Sequence, residues 1–216
     1  MAGWTVAALV LAAFAFTVWQ PIQVLPRIEL APGYALVDQR GQQYTSESGR
    51  GSVTLYNFAP LDCGDRCAGT DATLAEVLSR VPAEVDLGDV GFRVVTIALD
   101  PVGDDPSALA AAAARSGADG ERWRWIGGGE DRVRTLVGSG FHRSIGTGPD
   151  GETAADPGFV LVDGNGVIRG DYRYRTTAPE VDRLVGNLKV LAGEIRNAHG
   201  AATVAYEAAH LFLCYP

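Results

Sequence analysis

Cysteine and methionine are scarce in this chain, with three and one among 216 residues, so the fold does not depend on a network of disulfides. The chain carries 18 basic and 26 acidic residues, a net charge of −8, and its basic residues form no cluster. Without a basic surface we expect no nucleic-acid partner. With 47% hydrophobic residues, the chain can bury a full core without metal or disulfides, so we expect its cysteines to serve chemistry.

Charged residues are absent from the first 26 positions, and the stretch from Trp4 to Trp19 is almost wholly apolar. About 20 apolar residues cross a bilayer core, and tryptophan favours its two interfaces. Residues 1–22 are therefore predicted to be an uncleaved membrane anchor, followed by a short stiff linker at 23–33. A cleaved signal peptide is the alternative, but the basic start and small-residue cleavage site typical of one are not evident.

Two cysteines, Cys63 and Cys67, lie between a strand-like run at 53–58 and a helical pattern that begins near Thr70. A cysteine at a helix N-terminus lies beside unpaired backbone N–H groups and the positive end of the helix dipole, which favours the thiolate. Reduced, the pair can hold a soft metal such as copper(I) or zinc. Oxidised, it forms a disulfide, whose role could also be purely structural. Cys214 is expected to be a buried apolar residue, with an unpaired thiol or a modification site as alternatives.

The remaining periodicity predicts further strands near residues 34–41, 92–99, 123–126, 158–162 and 167–172, and helices near 70–81, 107–116 and 179–197. This order predicts an α/β sandwich with crossovers that ends in an antiparallel hairpin around residues 163–166. It is the order of a thioredoxin-like fold, which we place at residues 34–200. Residues 201–216 are predicted to form a helical tail that packs on its own domain, on a partner or on the bilayer surface.

Four segments occur in a recognisable order: the turn LVDQRG at 36–41, the strand GSVTLYNF at 51–58, the loop CGDRC at 63–67 and TIALDPVGDDPSAL at 96–109. With them, residues 30–191 resemble the Sco/SenC family of membrane-anchored, thioredoxin-fold proteins that help to assemble the copper centre of cytochrome oxidase. Gly64 and Ala68 depart from the prolines common in that family. The resemblance implies a domain on the extracytoplasmic (periplasmic) side, with a respiratory oxidase subunit or a copper chaperone as protein client.

Members of the family bind copper through the two cysteines and a distant histidine, and the family's spacing puts Ala155 in the histidine position. The resemblance therefore implies a copper site with two ligands, Cys63 and Cys67, and no third. His142 is expected to be solvated, although a loop could bring it to the sulfurs. The other two histidines fit a helix C-terminus, at residue 199, and the apolar tail, at residue 210.

The segment PGFVLVDGNG at 157–166 resembles one in periplasmic thioredoxin-like reductases, in which the proline is cis and packs over the dithiol. It implies that Pro157 is a platform beside which the backbone of a substrate pairs. An ordinary proline at the start of a strand is the alternative. In such a reductase Cys63 would attack, Arg66 would help to stabilise its thiolate, and Cys67 would resolve the mixed disulfide.

These observations predict a membrane-anchored Sco-like protein that assists assembly of the copper centre of a respiratory oxidase, by copper(I) handling or dithiol chemistry at Cys63 and Cys67. A thiol–disulfide oxidoreductase that works without copper is one alternative. A non-catalytic docking subunit of a membrane complex is the other.

Overall fold

A computed structural model describes residues 4, 22–102, 106–147, 153–173, 181–200 and 202–212. The strands in this part are β1 (Glu29–Leu30), β2 (Ala35–Asp38), β3 (Gln43–Thr45), β4 (Ser52–Ala59), β5 (Gly91–Ala98), β6 (Trp123–Gly127), β7 (Ile145–Thr147), β8 (Thr153–Ala155), β9 (Gly158–Val162) and β10 (Val167–Arg173). The helices are α1 (Asp65–Glu84), α2 (Ser107–Ser116), α3 (Glu130–Arg134), α4 (Val181–Asn197) and α5 (Ala202–Phe212). A 3-10 turn (Ser46–Gly49) precedes β4, and a π-helical turn (Thr135–Gly140) continues α3.

Eight strands form the central sheet in the order β1-β10-β9-β4-β5-β6-β2-β3, and β7 and β8 form a separate ribbon. The pairs β4–β5 and β5–β6 are parallel, while the other neighbouring pairs are antiparallel. All eight residues of β4 are buried, as expected for a strand in the middle of a covered sheet. The predicted α/β order is confirmed, including the final hairpin, where the N–H of Gly166 donates to the carbonyl of Asp163 at 2.9 Å.

The sheet is covered on both faces. On one face, the helices α1 and α4 pack on β4 and β9 through a cluster that includes Leu55, Leu74, Phe159 and Leu188. On the other face, the cluster includes Tyr56, Ile97, Val137 and Phe141. A third, smaller cluster lies at the carboxyl ends of the parallel strands and joins Ala59 and Ala98 to residues of α2 and β6. The clusters cover both faces of the sheet, and the loop after β4 lies outside them at an exposed edge of the domain.

The stretch 23–33, predicted to be a linker, contacts the domain in its middle. Leu25 is 1% exposed and lies in the cluster with α1 and α4. The guanidinium of Arg169 donates to the carbonyl of Leu25 at 2.8 Å and to that of Pro26 at 3.1 Å. Glu29 then pairs with Ile168 in the sheet. Tertiary contacts with β10, which no local pattern in this stretch reports, determine where the domain begins.

Within the described residues, no helix is long and apolar enough to cross a membrane. The anchor predicted at 1–22 lies outside these residues apart from positions 4 and 22, and it stays a prediction. Cys214 also lies outside the described part of the chain.

Two helix boundaries differ from prediction. The helix α1 begins at Asp65 rather than near Thr70, and it continues to Glu84, two residues past Pro82. Proline has no N–H to donate to the carbonyl of Leu78, and Nη1 of Arg122 lies 3.5 Å from that oxygen instead.

The tail forms helix α5, which contacts its own domain. The guanidinium of Arg27 donates to both carboxylate oxygens of Glu207, at 2.9 and 2.8 Å. Nε2 of His210 lies 2.9 Å from Oε1 of Glu194 on α4. Of the placements considered for the tail, packing on its own domain is the one that these contacts support.

Candidate functional site

The two cysteines lie where β4 passes into α1. Cys63 is in the connecting loop, and Cys67 is the third residue of the helix. Their sulfurs form a disulfide, with the two Cα atoms 5.6 Å apart, and both side chains are half-buried. Cys67 also packs against the cluster that contains Ala59, so it is the inner cysteine of the pair. The pair therefore lies at the N-terminal end of a 20-residue helix, where backbone N–H groups and the helix dipole favour a thiolate after reduction.

A glycine shapes the turn between the cysteines. Gly64 has φ of +46°, in the left-handed region that glycine adopts without strain. The N–H of Arg66 donates to the carbonyl of Cys63 at 3.0 Å, and that of Cys67 donates to Gly64 at 3.2 Å. Proline is fixed near φ of −65°, so it does not fit this turn. The departure from the family's common proline at position 64 thus agrees with the local backbone.

Asp100 and Arg115 fix the start of the loop through Leu61. The N–H of Leu61 donates to Oδ2 of Asp100 at 2.6 Å. Nη2 of Arg115 donates to the carbonyl oxygen of Leu61. Sequence reasoning missed both anchoring residues. The signal for Asp100 was its position two residues after the end of the parallel strand β5, since the carboxyl ends of neighbouring parallel strands lie at one edge of the sheet.

A pocket of about 280 Å³ opens at the disulfide. Its lining includes both cysteines, Asn57, Phe58, Arg66, Leu99, Ala155 and Pro157. The structure thus brings together the three predicted site residues, Cys63, Cys67 and Pro157. It also places Ala155, at the end of β8, in the same pocket as the sulfurs.

Pro157 does not have the cis geometry that the likeness to reductases implied. No peptide bond among the described residues is cis, so the bond before Pro157, which lies within them, is trans. The proline is exposed and directly precedes β9. It therefore agrees with the alternative of a proline at the start of a strand, while it still forms part of the pocket wall.

The pocket lining includes none of the three histidines. Nε2 of His142 is 3.4 Å from Oε1 of Glu29, and the His142 side chain is 60% exposed, as expected for a solvated group. His199 follows the end of α4 and precedes Gly200, whose φ is +55°. The tail histidine is engaged by Glu194, as described above. Within the described residues, no group of three or more His, Cys, Asp or Glu side chains is arranged to hold a metal ion.

The sulfurs are therefore the soft donors of this pocket. As a disulfide they offer no thiolate to a metal, whereas after reduction they become two ligands of the kind that copper(I) prefers. No third ligand is provided from position 155, because alanine has no donor atom. The residues thus fit a two-coordinate or shared copper(I) site in the reduced state only.

Two buried polar side chains around the pocket were also missed. Asn57 is 2% exposed, and its Nδ2 has no hydrogen-bond partner. The guanidinium of Arg143 is 1% exposed, pairs with Asp171 and lies 5.4 Å from the ring centre of Phe58, which lines the pocket. Burial lowers the pKa of Arg143. The sequence pattern does not predict buried polar groups of this kind, because their positions do not differ from those of other strand or loop residues.

One turn along α1 from Cys67, burial raises the pKa of Asp71, and the nearby charge of Arg115 partly opposes that shift.

Comparison with known proteins settles the family. A family model described as SCO1/SenC matches residues 24–189. The chain belongs to the SCO1/SenC family. The match begins at residue 24, close to the point where the buried segment around Leu25 enters the domain. The resemblance carried by the four sequence segments is therefore confirmed.

Solved Sco structures share the fold. A SCO1/SenC family lipoprotein from Bacillus anthracis has a TM-score of 0.65 at 21% identity, over 76% of this chain and 95% of that one. BsSco, described as having a disulfide switch and as a member of the Sco family of cytochrome c oxidase assembly proteins, has a TM-score of 0.64 at 22% identity, over 78% and 96%. Arabidopsis thaliana ScoI with copper bound has a TM-score of 0.63 at 16% identity, over 75% and 98%. The predicted thioredoxin-like domain thus has the fold of Sco proteins.

Proposed function

We propose that this Sco protein assists assembly of the copper centre of a respiratory cytochrome oxidase, and that it acts through thiol–disulfide exchange at Cys63 and Cys67. The observation that carries the proposal is the composition of the pocket. It presents a reducible pair of sulfurs at a helix N-terminus and has alanine at position 155, where the family resemblance expects a copper-binding histidine. Exchange needs the two sulfurs alone, whereas the three-ligand copper site that the family resemblance implies needs a further donor, which alanine does not supply.

The two cysteines have different roles in the proposed exchange. Cys63 lies in the loop before α1, and its thiolate attacks a disulfide of the client to form a mixed disulfide. Cys67, which packs inward against the Ala59 cluster, then attacks the sulfur of Cys63 and releases the client as a dithiol. Arg66 lines the pocket and adds positive charge beside the thiolates. Pro157 forms the wall against which the client backbone lies.

Copper(I) handling is the second candidate, and it is favoured by the shared pocket of the two sulfurs. In this case copper(I) is cargo that the reduced protein holds through Cys63 and Cys67 and passes to a client that supplies a further ligand. The copper-bound Sco neighbour supports this possibility. Such a site is easily emptied, which suits transfer rather than storage.

A titration of the reduced full-length protein with copper(I) against a competing chelator separates the two candidates. Exchange without copper predicts weak binding by the native protein. The variant Ala155→His is expected to bind about tenfold more tightly or better, since one added bond worth about 1.4 kcal/mol has that effect. Ala72→His, on the exposed surface of α1, is the matched control, and Cys63→Ser/Cys67→Ser is the background.

Tight stoichiometric binding by the native protein, unchanged by Ala155→His, would replace the exchange proposal with copper handling. Failure of the native dithiol to reduce a disulfide-bonded two-cysteine peptide, together with weak copper binding, would overturn both.

We further propose that residues 1–22 anchor the chain and that the domain lies on the extracytoplasmic side. The apolar sequence of this stretch and the similarity to a Sco lipoprotein support membrane attachment. Retention of the full chain in membranes washed with alkaline carbonate, with the domain accessible to added protease in spheroplasts, is the expected result. The contacts of α5 with its own domain weigh against a purely docking role for the tail.

A further inference from the structure

The side chain of Asn57 has an unusual environment at the floor of the dithiol pocket. It is 2% exposed, and it lines the pocket together with Cys63 and Cys67. Its Nδ2 is buried and has no hydrogen-bond partner. A buried donor without a partner gives up its hydrogen bonds to water and receives none in return, so it destabilises the fold unless another state of the protein uses it.

The strand register shows on which side of the sheet this donor lies. Side chains two apart on β4 point to the same face, so Asn57 shares its face with Leu55 and Ala59. Leu55 packs in one cluster with Leu74 of α1, and Ala59 belongs to the cluster against which Cys67 packs. Asn57 therefore lies on the side of the sheet that α1 covers, between these two contacts. Of the two cysteines, Cys67 is the one that packs against the cluster on this side.

Opening the disulfide changes the acceptor that the sulfur of Cys67 offers to this donor. In the oxidised protein, the sulfur of Cys67 is bonded to that of Cys63 and is a neutral, weak acceptor. Reduction frees this sulfur and gives it negative charge, and hydrogen bonds to charged groups are the strong ones. The same carboxamide thus has a poor partner in one redox state and a good one in the other.

We propose that Asn57 is a positioning residue whose Nδ2 donates a hydrogen bond to the sulfur of Cys67 after the disulfide opens, and so raises the reduction potential of the pair. The inference rests on the proposed dithiol function. A dithiol reductant supplies the two electrons: its thiolate attacks Cys63, and Cys67 leaves as a thiolate that Asn57 stabilises. The second thiol of the reductant then attacks its own mixed disulfide and releases Cys63, so the reductant becomes a disulfide.

The test is the reduction potential of the full-length protein, measured by equilibration in buffers of reduced and oxidised dithiothreitol at a fixed pH. Asn57→Leu keeps the size of the side chain and removes the donor. We expect it to lower the equilibrium constant for reduction by about tenfold, which makes the potential about 30 mV more negative. Asn57→Asp is expected to shift it in the same direction, because a carboxylate repels the thiolate. Asn57→Ala replaces the leucine variant if that one does not fold.

The matched control is Thr96→Val. Thr96 is the direct neighbour of Asn57 on β5, is fully buried, and accepts a hydrogen bond from Nε1 of Trp123 at 2.9 Å. This variant removes a polar group from the same layer of the core, so it is expected to lower stability and to leave the potential within twofold of the native equilibrium constant.

An unchanged or more positive potential in Asn57→Leu would overturn the inference. So would an equal shift in Thr96→Val, because the effect would then belong to the core and not to the donor. A shifted potential in a protein that reduces no client disulfide would leave the inference standing and refute only the proposed function. An unshifted potential in a protein that does reduce clients would refute only the inference.

Discussion

Reduction of the Cys63–Cys67 disulfide is expected to leave this protein folded while lowering its free energy of unfolding by about 2 kcal/mol. The bridge joins residues with a sequence separation of 4, and closing so short a loop removes little entropy from the unfolded chain. The helix that follows is held by Leu74, Val77 and Leu78, which are buried independently of the bridge. In a chain of this length, the loss corresponds to a fall of about 4–8 °C in the unfolding midpoint.

Thermal unfolding of the full chain, followed by circular dichroism with and without a reductant, measures this loss. The variant Cys63→Ser/Cys67→Ser is the control, and it is expected to unfold near the midpoint of the reduced protein and to be insensitive to the reductant. Loss of the native spectrum on reduction at 25 °C would refute the reasoning. The bridge would then be a structural support for the fold, and the case for a redox role would be weaker.

Three further predictions concern the rest of the domain. Arg169→Met is expected to cost about 3–5 kcal/mol in urea unfolding, because Arg169 is 3% exposed and its loss takes the cationic partner from the buried carboxylate of Asp163 and one of the partners from that of Glu194; a loss under about 1 kcal/mol would contradict this. Asp100→Ala is expected to cost about 1.5–3 kcal/mol through the lost bond to Leu61, while the exposed Asp62→Ala costs about 0.5 kcal/mol or less; equal losses would refute the anchoring role of Asp100. Burial raises the pKa of Tyr56 to about 12, so its contribution to stability is complete below pH 10 and is lost as the pH rises to 12. Burial also raises the pKa of Tyr34 and of Tyr172, so urea unfolding across this range should show a loss that is smaller in Tyr56→Phe than in the native protein, and identical pH profiles would count against the prediction.

Local sequence patterns predicted the elements whose burial is periodic. The face of α1 predicted from Leu74, Val77, Leu78 and Val81 is the buried face. The strand β5 and the β9–β10 hairpin also lie close to their predicted positions. Each of these elements either buries one regular stripe or contains a turn signal that is complete within a few residues.

Short edge elements could not be predicted in this way. β1 has two residues, and β7 and β8 have three each. Their pairing is determined by residues distant in sequence, as with Glu29 and Ile168. A stretch of two or three residues carries too little alternation to indicate a strand, so the domain start was assigned to a linker.

The candidate site was predictable where a motif carried it. The CGDRC loop identified both cysteines, and the spacing to Gly166 placed Ala155 in what proves to be the dithiol pocket. Three features of the site follow only from the folded structure: the trans bond before Pro157, the anchoring by Asp100 and the unpaired Asn57. They depend on the backbone geometry and on which polar atoms form hydrogen bonds, and residue type alone determines neither.

In the proposed exchange, Cys63 attacks a client of the oxidase assembly pathway and Cys67 resolves the product. Trapping of mixed disulfides tests it most directly, with full-length Cys67→Ser and Cys63→Ser compared in membranes that contain the cytochrome oxidase. We expect Cys67→Ser to accumulate a mixed disulfide with the copper-binding oxidase subunit or with a copper chaperone, identified by mass spectrometry, and Cys63→Ser not to do so. No such adduct in either variant, or equal amounts in both, would contradict the account.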